Sequence, residues 1–290
     1  MMFKNLIDVD SLQELLGNPR LAVVDCRFDL MNPEAGRQAY MRAHIPGARY
    51  ADLNRDLSSP VGPGTGRHPL PSPEAFAATL ESIGIGNHTQ VIAYDEANGS
   101  FAARLWWMLR WLGHDAVAVL DGGFTAWTAF GGALESSGPE SGANVNADRG
   151  HAGRFIPRVH PNAVVSTAQL EQALRNPKVM LVDARAQNRY AGEVEPIDSV
   201  AGHIPGAVNH PFTENLAADN RFLPAAELER RWRERLAGKQ PENLIAMCGS
   251  GVTACHNLLS LEVAGLTGAK LYGGSWSEWI RDPRRPIARG

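Results

Sequence analysis

The stretch Leu21–Arg27 (LAVVDCR) occurs again as Val179–Arg185 (VMLVDAR), 158 residues further along the chain. Each copy is a short apolar run that ends in Asp-x-Arg, which is typical of a buried strand followed by a polar turn. Three further landmarks recur in the same order, at offsets between 152 and 159 residues. A unit of this length, present twice in 290 residues, predicts two tandem domains rather than a solenoid.

The recurring landmarks are of three kinds, namely turns, strands and Gly/Trp pairs, so their shared order indicates duplication and not chance. They are the turns His44–Ala48 and His203–Ala207, the strands Val91–Tyr94 and Leu244–Met247, and the pairs Gly122 with Trp127 and Gly274 with Trp279. The intervening segments alternate between apolar runs and stretches with helical periodicity. Predicted helices are Pro73–Ile83, Phe101–Leu112, Leu228–Leu236 and Val252–Ala264, and a further strand is Ala116–Leu120. This alternation predicts an α/β fold with a parallel sheet flanked by helices in each copy.

The repeat and the composition between its copies give domain boundaries. Residues 1–132 form the first predicted domain and residues 159–290 the second. Residues 133–158 form a predicted linker, because Ser136–Gly142 is rich in Ser, Gly and Pro and has few apolar anchors.

Composition excludes several classes of protein. The formal net charge is −3, so no basic field for nucleic acid is visible. No apolar run approaches the roughly 20 residues of a membrane span, and Met1–Asp10 has no apolar core of a signal peptide. Three cysteines do not make a disulfide framework. We therefore expect a cytoplasmic protein that binds neither nucleic acid nor membrane.

The segment Met247–Ala254 (MCGSGVTA) carries the sharpest chemical signal. It follows a predicted strand and precedes a helix, where ligands of open α/β sheets bind. Cys248 at that place is a candidate nucleophile, because converging N–H groups and a helix N-terminus favour thiolate. The competing interpretation is a small buried core cysteine. Cysteine-dependent phosphatase chemistry is disfavoured, since no Arg or Lys occurs from Cys248 to Ser260 to clamp a phosphate.

Taken together, these motifs resemble those of the tandem-domain rhodanese-type sulfurtransferases, over roughly residues 5–282. The resemblance rests on both Val-Asp-x-Arg strands, both His-Ile-Pro-Gly-Ala turns, Leu120–Gly123 with Trp127, Gly274–Trp279 and, most specifically, the Cys248–Ala254 loop. It implies two rhodanese-like domains. A loop reading Cys-Gly-Ser-Gly-Val-Thr resembles the type that uses 3-mercaptopyruvate, whereas the thiosulfate type usually has basic residues after the cysteine.

The resemblance also implies roles for single residues. Cys248 would carry the sulfur, and the following loop would hold it through Gly249, Gly251, Val252 and Thr253. Arg189 matches the family arginine that binds the anionic group of the substrate; a surface ion pair is the competing interpretation. The mercaptopyruvate type has a second arginine after a Glu-Pro pair, but Ile197 stands there in this chain. Arg67 and Arg221 are the candidates to replace it.

A proton relay of Ser, His and Asp is the remaining implication of the resemblance. Ser250 and His68 match its first two members, and Asp52 is available as the acid, with Asn54 as the alternative occupant of the acidic position. Ser250 as a simple hydrogen-bond donor is an equal alternative. The residue of the first copy that aligns with Cys248 is Asp95, which cannot carry transferable sulfur. The first domain is therefore expected to be catalytically inactive.

The expected function is transfer of sulfane sulfur from 3-mercaptopyruvate, through a Cys248 persulfide, to a thiol, cyanide or thioredoxin-like acceptor. The donor is expected to be a small anion, and no metal or organic cofactor is expected. The nearest alternative is thiosulfate:cyanide transfer by the same cysteine. A non-catalytic rhodanese module that only binds partners is the alternative from another class, and the intact cysteine loop argues against it.

Overall fold

The chain forms two compact units in the computed structural model, which describes residues 2–137 and 153–290. One unit holds the described residues of Met1–Ser59, Pro71–His160 and Asp219–Arg221, and the other holds Pro60–Leu70, Pro161–Ala218 and Phe222–Gly290. Of the predicted linker, residues 138–152 lie outside the described residues. The domain boundaries at 132 and 159 stay predictions.

The first unit contains a five-stranded parallel sheet in the order β1-β5-β4-β2-β3. Its strands are β1 (Asn5–Ile7), β2 (Leu21–Asp25), β3 (Arg49–Tyr50), β4 (Gln90–Tyr94) and β5 (Val117–Leu120). Its helices are α1 (Val9–Leu15), α2 (Glu34–Arg42), α3 (Pro73–Ser82), α4 (Ala102–Trp111) and α5 (Gly123–Phe130). Strand β4 is central, and four of its five residues are buried, as expected for a parallel strand covered on both faces.

The second unit contains a four-stranded parallel sheet in the order β7-β6-β8-β9. Its strands are β6 (Met180–Asp183), β7 (Val208–Asn209), β8 (Leu244–Met247) and β9 (Lys270–Leu271). Its helices are α6 (Thr167–Ala173), α7 (Gln187–Ala191), α8 (Ala225–Leu236), α9 (Thr253–Val263) and α10 (Ser275–Trp279), with short 3₁₀ turns at Pro161–Ala163, Phe212–Asn215 and Pro241–Asn243. The prediction of an α/β fold with parallel sheets flanked by helices is confirmed.

Local sequence explains where several helices begin. Ser72 precedes α3 and accepts a hydrogen bond from the N–H of Ala75, while Pro73 occupies the first turn, where its missing N–H costs nothing. Helix α6 begins with a capping box formed by Ser166 and Gln169. These caps satisfy N–H groups that have no partner within the helix.

The Asp-x-Arg repeat forms the same buried ion pair in each unit. Asp25 accepts hydrogen bonds from Nε and Nη2 of Arg27, whose Nη2 also donates to the carbonyl of Ala43. Asp183 accepts the equivalent bonds from Arg185 in the second unit. Burial raises the pKa of Asp25, although the neighbouring arginine opposes that effect. Both arginines are therefore held in buried structural ion pairs.

Within residues 2–137 and 153–290, none of the helices has both the length and the apolar character that a membrane crossing requires.

Candidate active site

Cys248 lies directly after β8, an inner strand of the second sheet, and before α9. All four residues of β8 are buried, so the strand is a fixed support for the loop that follows it. The Cys248 side chain is buried. The site therefore has the position that the sequence predicts, at the carboxyl end of a parallel strand.

The loop after Cys248 turns a backbone N–H toward its sulfur. The N–H of Gly251 donates a hydrogen bond to Cys248 Sγ, with nitrogen and sulfur 3.1 Å apart. Gly251 has φ +74°, and a Cβ at this position would lie 2.4 Å from the carbonyl oxygen of Gly273. Both conditions require glycine, because other residues rarely adopt this φ and have no space here. The loop can thus stabilise negative charge on the sulfur.

The turn between β9 and α10 holds the cysteine loop from the other side. Ser275 Oγ accepts a hydrogen bond from the N–H of Cys248 and donates one to the carbonyl of Tyr272. The N–H of Trp276 donates to the carbonyl of Cys248, and that of Ser277 to the carbonyl of Gly249. Ser275 has φ +54°, a left-handed conformation that is unfavourable for serine and is held by these hydrogen bonds. These bonds fix the backbone on which the sulfur sits.

Ser250 and His68 lie together although 182 positions separate them in the sequence. Ser250 Oγ and His68 Nδ1 are 2.8 Å apart, and both side chains are buried. The segment Pro60–Leu70, which contains His68, belongs to the second unit. It is fixed there because the N–H of Arg67 donates to Ser277 Oγ and a Cβ on Gly66 would lie 2.5 Å from the carbonyl oxygen of Gly274.

Asp52, the third residue predicted for a relay, belongs to the first unit. Its carboxylate accepts hydrogen bonds from the N–H groups of Asn54 and Arg55, so it caps a local turn. Its participation in a relay stays a prediction.

Two arginines lie beside the Gly249 backbone. A Cβ on Gly249 would be 3.1 Å from Arg67 Nη2 and 3.7 Å from Arg189 Nη2. Asp198 bridges them: it accepts from Arg67 Nη1 on one oxygen and from Arg189 Nη2, at 3.3 Å, on the other. The sequence names Arg67 as a candidate for the site, but no local pattern places it beside the cysteine loop, because the two are brought together only by folding.

Glu195 holds Arg189 through a bidentate ion pair. Arg189 Nε and Nη2 lie 3.1 Å and 2.6 Å from Glu195 Oε1. Burial acts to raise the pKa of Glu195, but the hydrogen bonds from Arg189 and from the N–H groups of Asp198 and Ile197 outweigh it and leave the pKa below its ordinary value. The carboxylate therefore stays ionised and keeps Arg189 in place.

Asp95 follows β4 in the first unit, as Cys248 follows β8 in the second. Its carboxylate accepts hydrogen bonds from the N–H groups of Gly99, Phe101 and Ala102 at 2.9, 2.8 and 3.2 Å. Burial raises the pKa of Asp95, and these hydrogen bonds act in the opposite direction. The loop of the first unit thus encloses a carboxylate of its own.

The two remaining cysteines and the two histidines of the repeated turns have surroundings typical of structural residues. Cys26 and Cys255 are buried, and burial together with nearby carboxylates raises the pKa of the Cys26 thiol. His44 and His203 each place Nδ1 at 2.8 Å from a backbone carbonyl, as expected of structural hydrogen-bonding residues. Arg221 belongs to the first unit and is half exposed. Among the described residues, no group of three or more His, Cys, Asp or Glu could hold a metal ion.

Comparison with known families gives two matches along the chain. The model of the rhodanese-like domain matches residues 8–130 and again residues 166–282. These ranges cover most of both copies of the repeat, so the comparison finds two tandem domains of one family.

Individual relatives extend this likeness to whole chains. A Pseudomonas aeruginosa protein named "Probable 3-mercaptopyruvate sulfurtransferase" is 49% identical over the full length of both chains. An Arabidopsis thaliana protein named "Thiosulfate/3-mercaptopyruvate sulfurtransferase 1, mitochondrial" is 35% identical over 97% of this chain and 77% of that one. The solved structure of 3-mercaptopyruvate sulfurtransferase from Leishmania major is 32% identical, has a TM-score of 0.82, and is matched over 97% of this chain and 76% of that one.

Proposed function

Since this chain belongs to the rhodanese-like domain family and is a tandem-domain sulfurtransferase, we propose that it takes sulfur from 3-mercaptopyruvate and carries it as a persulfide on Cys248. The second unit performs the chemistry, and the first unit, which has Asp95 at the equivalent position, carries no sulfur. This is covalent catalysis in two half-reactions, with the persulfide enzyme as the intermediate.

In the first half-reaction the Cys248 thiolate attacks the sulfur of the donor. A sulfur–sulfur bond forms, the carbon–sulfur bond of 3-mercaptopyruvate breaks, and its electron pair passes to carbon as the enolate of pyruvate. The carbon gains a proton and the outer sulfur loses one, so that pyruvate and the persulfide anion result without any external oxidant. The N–H of Gly251, 3.1 Å from Sγ, supports the negative charge on the sulfur.

The observation that supports this donor best is the 2.8 Å contact between Ser250, in the cysteine loop, and His68, in the segment Pro60–Leu70. An enolate is a basic leaving group, and a hydroxyl backed by an imidazole can deliver the proton that it needs. Sulfite, the leaving group from thiosulfate, departs without protonation. A Ser-His pair is therefore useful for 3-mercaptopyruvate and unnecessary for thiosulfate. Arg189 contributes positive charge for the donor's carboxylate.

In the second half-reaction a nucleophile removes the outer sulfur and regenerates the thiolate. Cyanide yields thiocyanate, and a thiolate yields a new persulfide; in a cell a small thiol or a thioredoxin-like protein is the proposed acceptor. We place the protein in the cytoplasm, because a reducing compartment keeps the Cys248 thiol available.

Thiosulfate is the second candidate donor, because the Arabidopsis relative is named for both compounds. Thiocyanate formation with cyanide, measured as kcat/KM for each donor, decides between them, with Cys248→Ser as the inactive control. We expect a clear preference for 3-mercaptopyruvate. A preference for thiosulfate would overturn the donor assignment, and activity with neither donor would favour a non-catalytic binding module.

A further inference from the structure

The first unit has an open cavity of about 430 Å³ at the carboxyl ends of β2 and β4. Three segments line this cavity: the loop after β2, the helix α2 and the loop that begins at Asp95. Ligands of parallel α/β sheets bind at this edge of the sheet, and the volume lies in the range of small-molecule sites. The lining residues all belong to the first unit, whereas Cys248 belongs to the second.

Arg27 lines this cavity and is held rigidly. Asp25 and the carbonyl of Ala43 bind its Nε and Nη2, and the centre of the guanidinium lies 4.2 Å from the centre of the Phe124 ring. Its remaining nitrogen, Nη1, lies 3.7 Å from Glu96 Oε2, which is beyond hydrogen-bond distance. A buried guanidinium that is already fixed in place is a preorganised partner for a carboxylate.

The second unit closes the equivalent position with a buried acid. Arg185 Nη1 lies 3.4 Å from Glu195 Oε2, within hydrogen-bond distance, and the Glu195 side chain is 3% exposed. The Glu96 side chain is 68% exposed. Because exposed side chains change rotamer readily, the wide pair of Arg27 and Glu96 can open for a ligand. The buried pair of the second unit resists such a change.

The same cavity also has aromatic surface and a second cation. Phe28 and Phe101 both line it, and their rings meet edge to face with centroids 5.6 Å apart. Arg42, an exposed residue at the end of α2, lines it as well. Positive charge, negative charge and aromatic surface thus lie around one space. These are the partners that a carboxylate, an ammonium group and an aromatic ring require.

We infer that the first unit binds a free aromatic α-amino acid in this cavity. Its carboxylate binds Arg27 Nη1 with Arg42 beside it, and its ammonium group binds Glu96. Its ring packs against the two phenylalanines of the cavity. An α-amino acid carries its two charges on neighbouring carbons, so it can bridge Arg27 and Glu96, which stand too far apart to bond each other. This site is independent of the sulfur donor proposed above.

Titration calorimetry of the purified full-length protein with L-phenylalanine tests this site. We expect one binding site with a Kd of about 0.1 to 1 mM, as the size of the ligand allows. 3-Phenylpropanoate lacks the ammonium group and binds about 5-fold more weakly, since its lost partner is exposed. 2-Phenylethylamine lacks the carboxylate and binds at least about 10-fold more weakly, since its lost partner is buried.

Variants at the rim of the cavity test the two charges separately. Glu96→Gln weakens binding of L-phenylalanine about 5-fold but does not weaken binding of 3-phenylpropanoate, which has no ammonium group. Arg42→Gln weakens both compounds, because both have the carboxylate. The matched controls are Glu14→Gln and Arg20→Gln, at exposed positions of the first unit outside the cavity. Both controls bind L-phenylalanine with the wild-type Kd.

The place of binding is checked with Cys248→Ser, which is expected to bind L-phenylalanine as the wild type does. Loss of binding in Cys248→Ser would put the amino acid at the cysteine loop and overturn the inference. It is equally overturned if millimolar L-phenylalanine gives no heat of binding, or if Glu96→Gln and the wild type have the same Kd. None of these results bears on persulfide formation, so the proposed function stands or falls separately.

Discussion

Asp95 and Cys248 hold equivalent places in their units, each directly after an inner strand and each enclosed by N–H groups of its own loop. Three N–H groups bind the Asp95 carboxylate, and the N–H of Gly251 binds the Cys248 sulfur. Equivalent loops hold a carboxyl group in one unit and a thiol in the other. The two copies of the fold thus share the position of this loop and its backbone donors, and differ in the side chain that the donors bind.

Removing the Asp95 carboxylate is expected to cost stability rather than chemistry. Asp95→Ala leaves three N–H groups without their acceptor in a buried loop, and we expect the free energy of unfolding to fall by about 2 to 4 kcal/mol. Urea unfolding measures the loss, with the exposed Glu14→Ala on α1 as control. The folded variant still forms the persulfide. A stable variant that cannot form it would show that Asp95 has a catalytic role.

Removing the Ser250 hydroxyl or the His68 imidazole is expected to affect turnover of 3-mercaptopyruvate and of thiosulfate differently. Because only the enolate needs a proton, Ser250→Ala and His68→Asn are expected to lower kcat for 3-mercaptopyruvate about 100-fold. Turnover of thiosulfate by the same variants changes little. Initial rates with both donors check this expectation. Equal losses with the two donors would mean that the pair shapes the loop and delivers no proton.

The Gly251 position tests how strictly the loop geometry is required. Gly251→Ala forces a Cβ to 2.4 Å from the Gly273 carbonyl and a strained φ, so both stability and sulfur loading fall. Gly64→Ala is the matched control, since a Cβ there meets no atom within 4 Å. Thermal unfolding and rates of thiocyanate formation are compared for the two variants. Wild-type rates in Gly251→Ala would contradict the role of its N–H.

Stability is expected to depend on pH through a buried histidine of the first unit. Burial lowers the pKa of His114 from its ordinary value of 6.5, although hydrogen bonds with Thr89 and Ala116 oppose the shift. Below about pH 6.5, His114 binds a proton in the unfolded chain but stays neutral in the folded chain. The free energy of unfolding therefore falls with decreasing pH until the lowered pKa of folded His114 is reached. The stability that neutral His114 contributes is fully present above about pH 6.5.

Urea unfolding at about pH 7.5 and about pH 5.5 measures this dependence. His114→Gln removes one of the titrating groups and makes the slope shallower, whereas His88→Gln, at an exposed position, leaves it as in the wild type. An equal slope in wild type and His114→Gln would contradict the assignment.

The sequence predicts the sheets well because buried parallel strands are continuous apolar runs. Leu21–Asp25 and Leu244–Met247 are strands at the predicted residues, and predicted helix Val252–Ala264 differs from α9 by one residue at each end. Strands β3 and β7 have two residues each and are too short for any periodic signal. They are defined by pairing with neighbouring strands, which the local sequence does not reveal.

The site is predictable only in part for a similar reason. The cysteine loop is a contiguous motif, so its position follows from local sequence. The contact of Ser250 with His68, and the approach of Arg67 to Gly249, join parts of the chain that are about 180 residues apart. Both depend on the packing of Pro60–Leu70 in the second unit. This packing is set by contacts distant in the sequence, and no local sequence pattern indicates it.

The persulfide on Cys248 is the central claim, and the intact mass of the protein tests it most directly. Wild type and Cys248→Ser are each incubated with 3-mercaptopyruvate, freed of small molecules and weighed by mass spectrometry. The account predicts that the wild type gains the mass of one sulfur atom, that cyanide removes it, and that Cys248→Ser gains nothing. An unchanged wild-type mass, or the same gain in Cys248→Ser, would contradict the account.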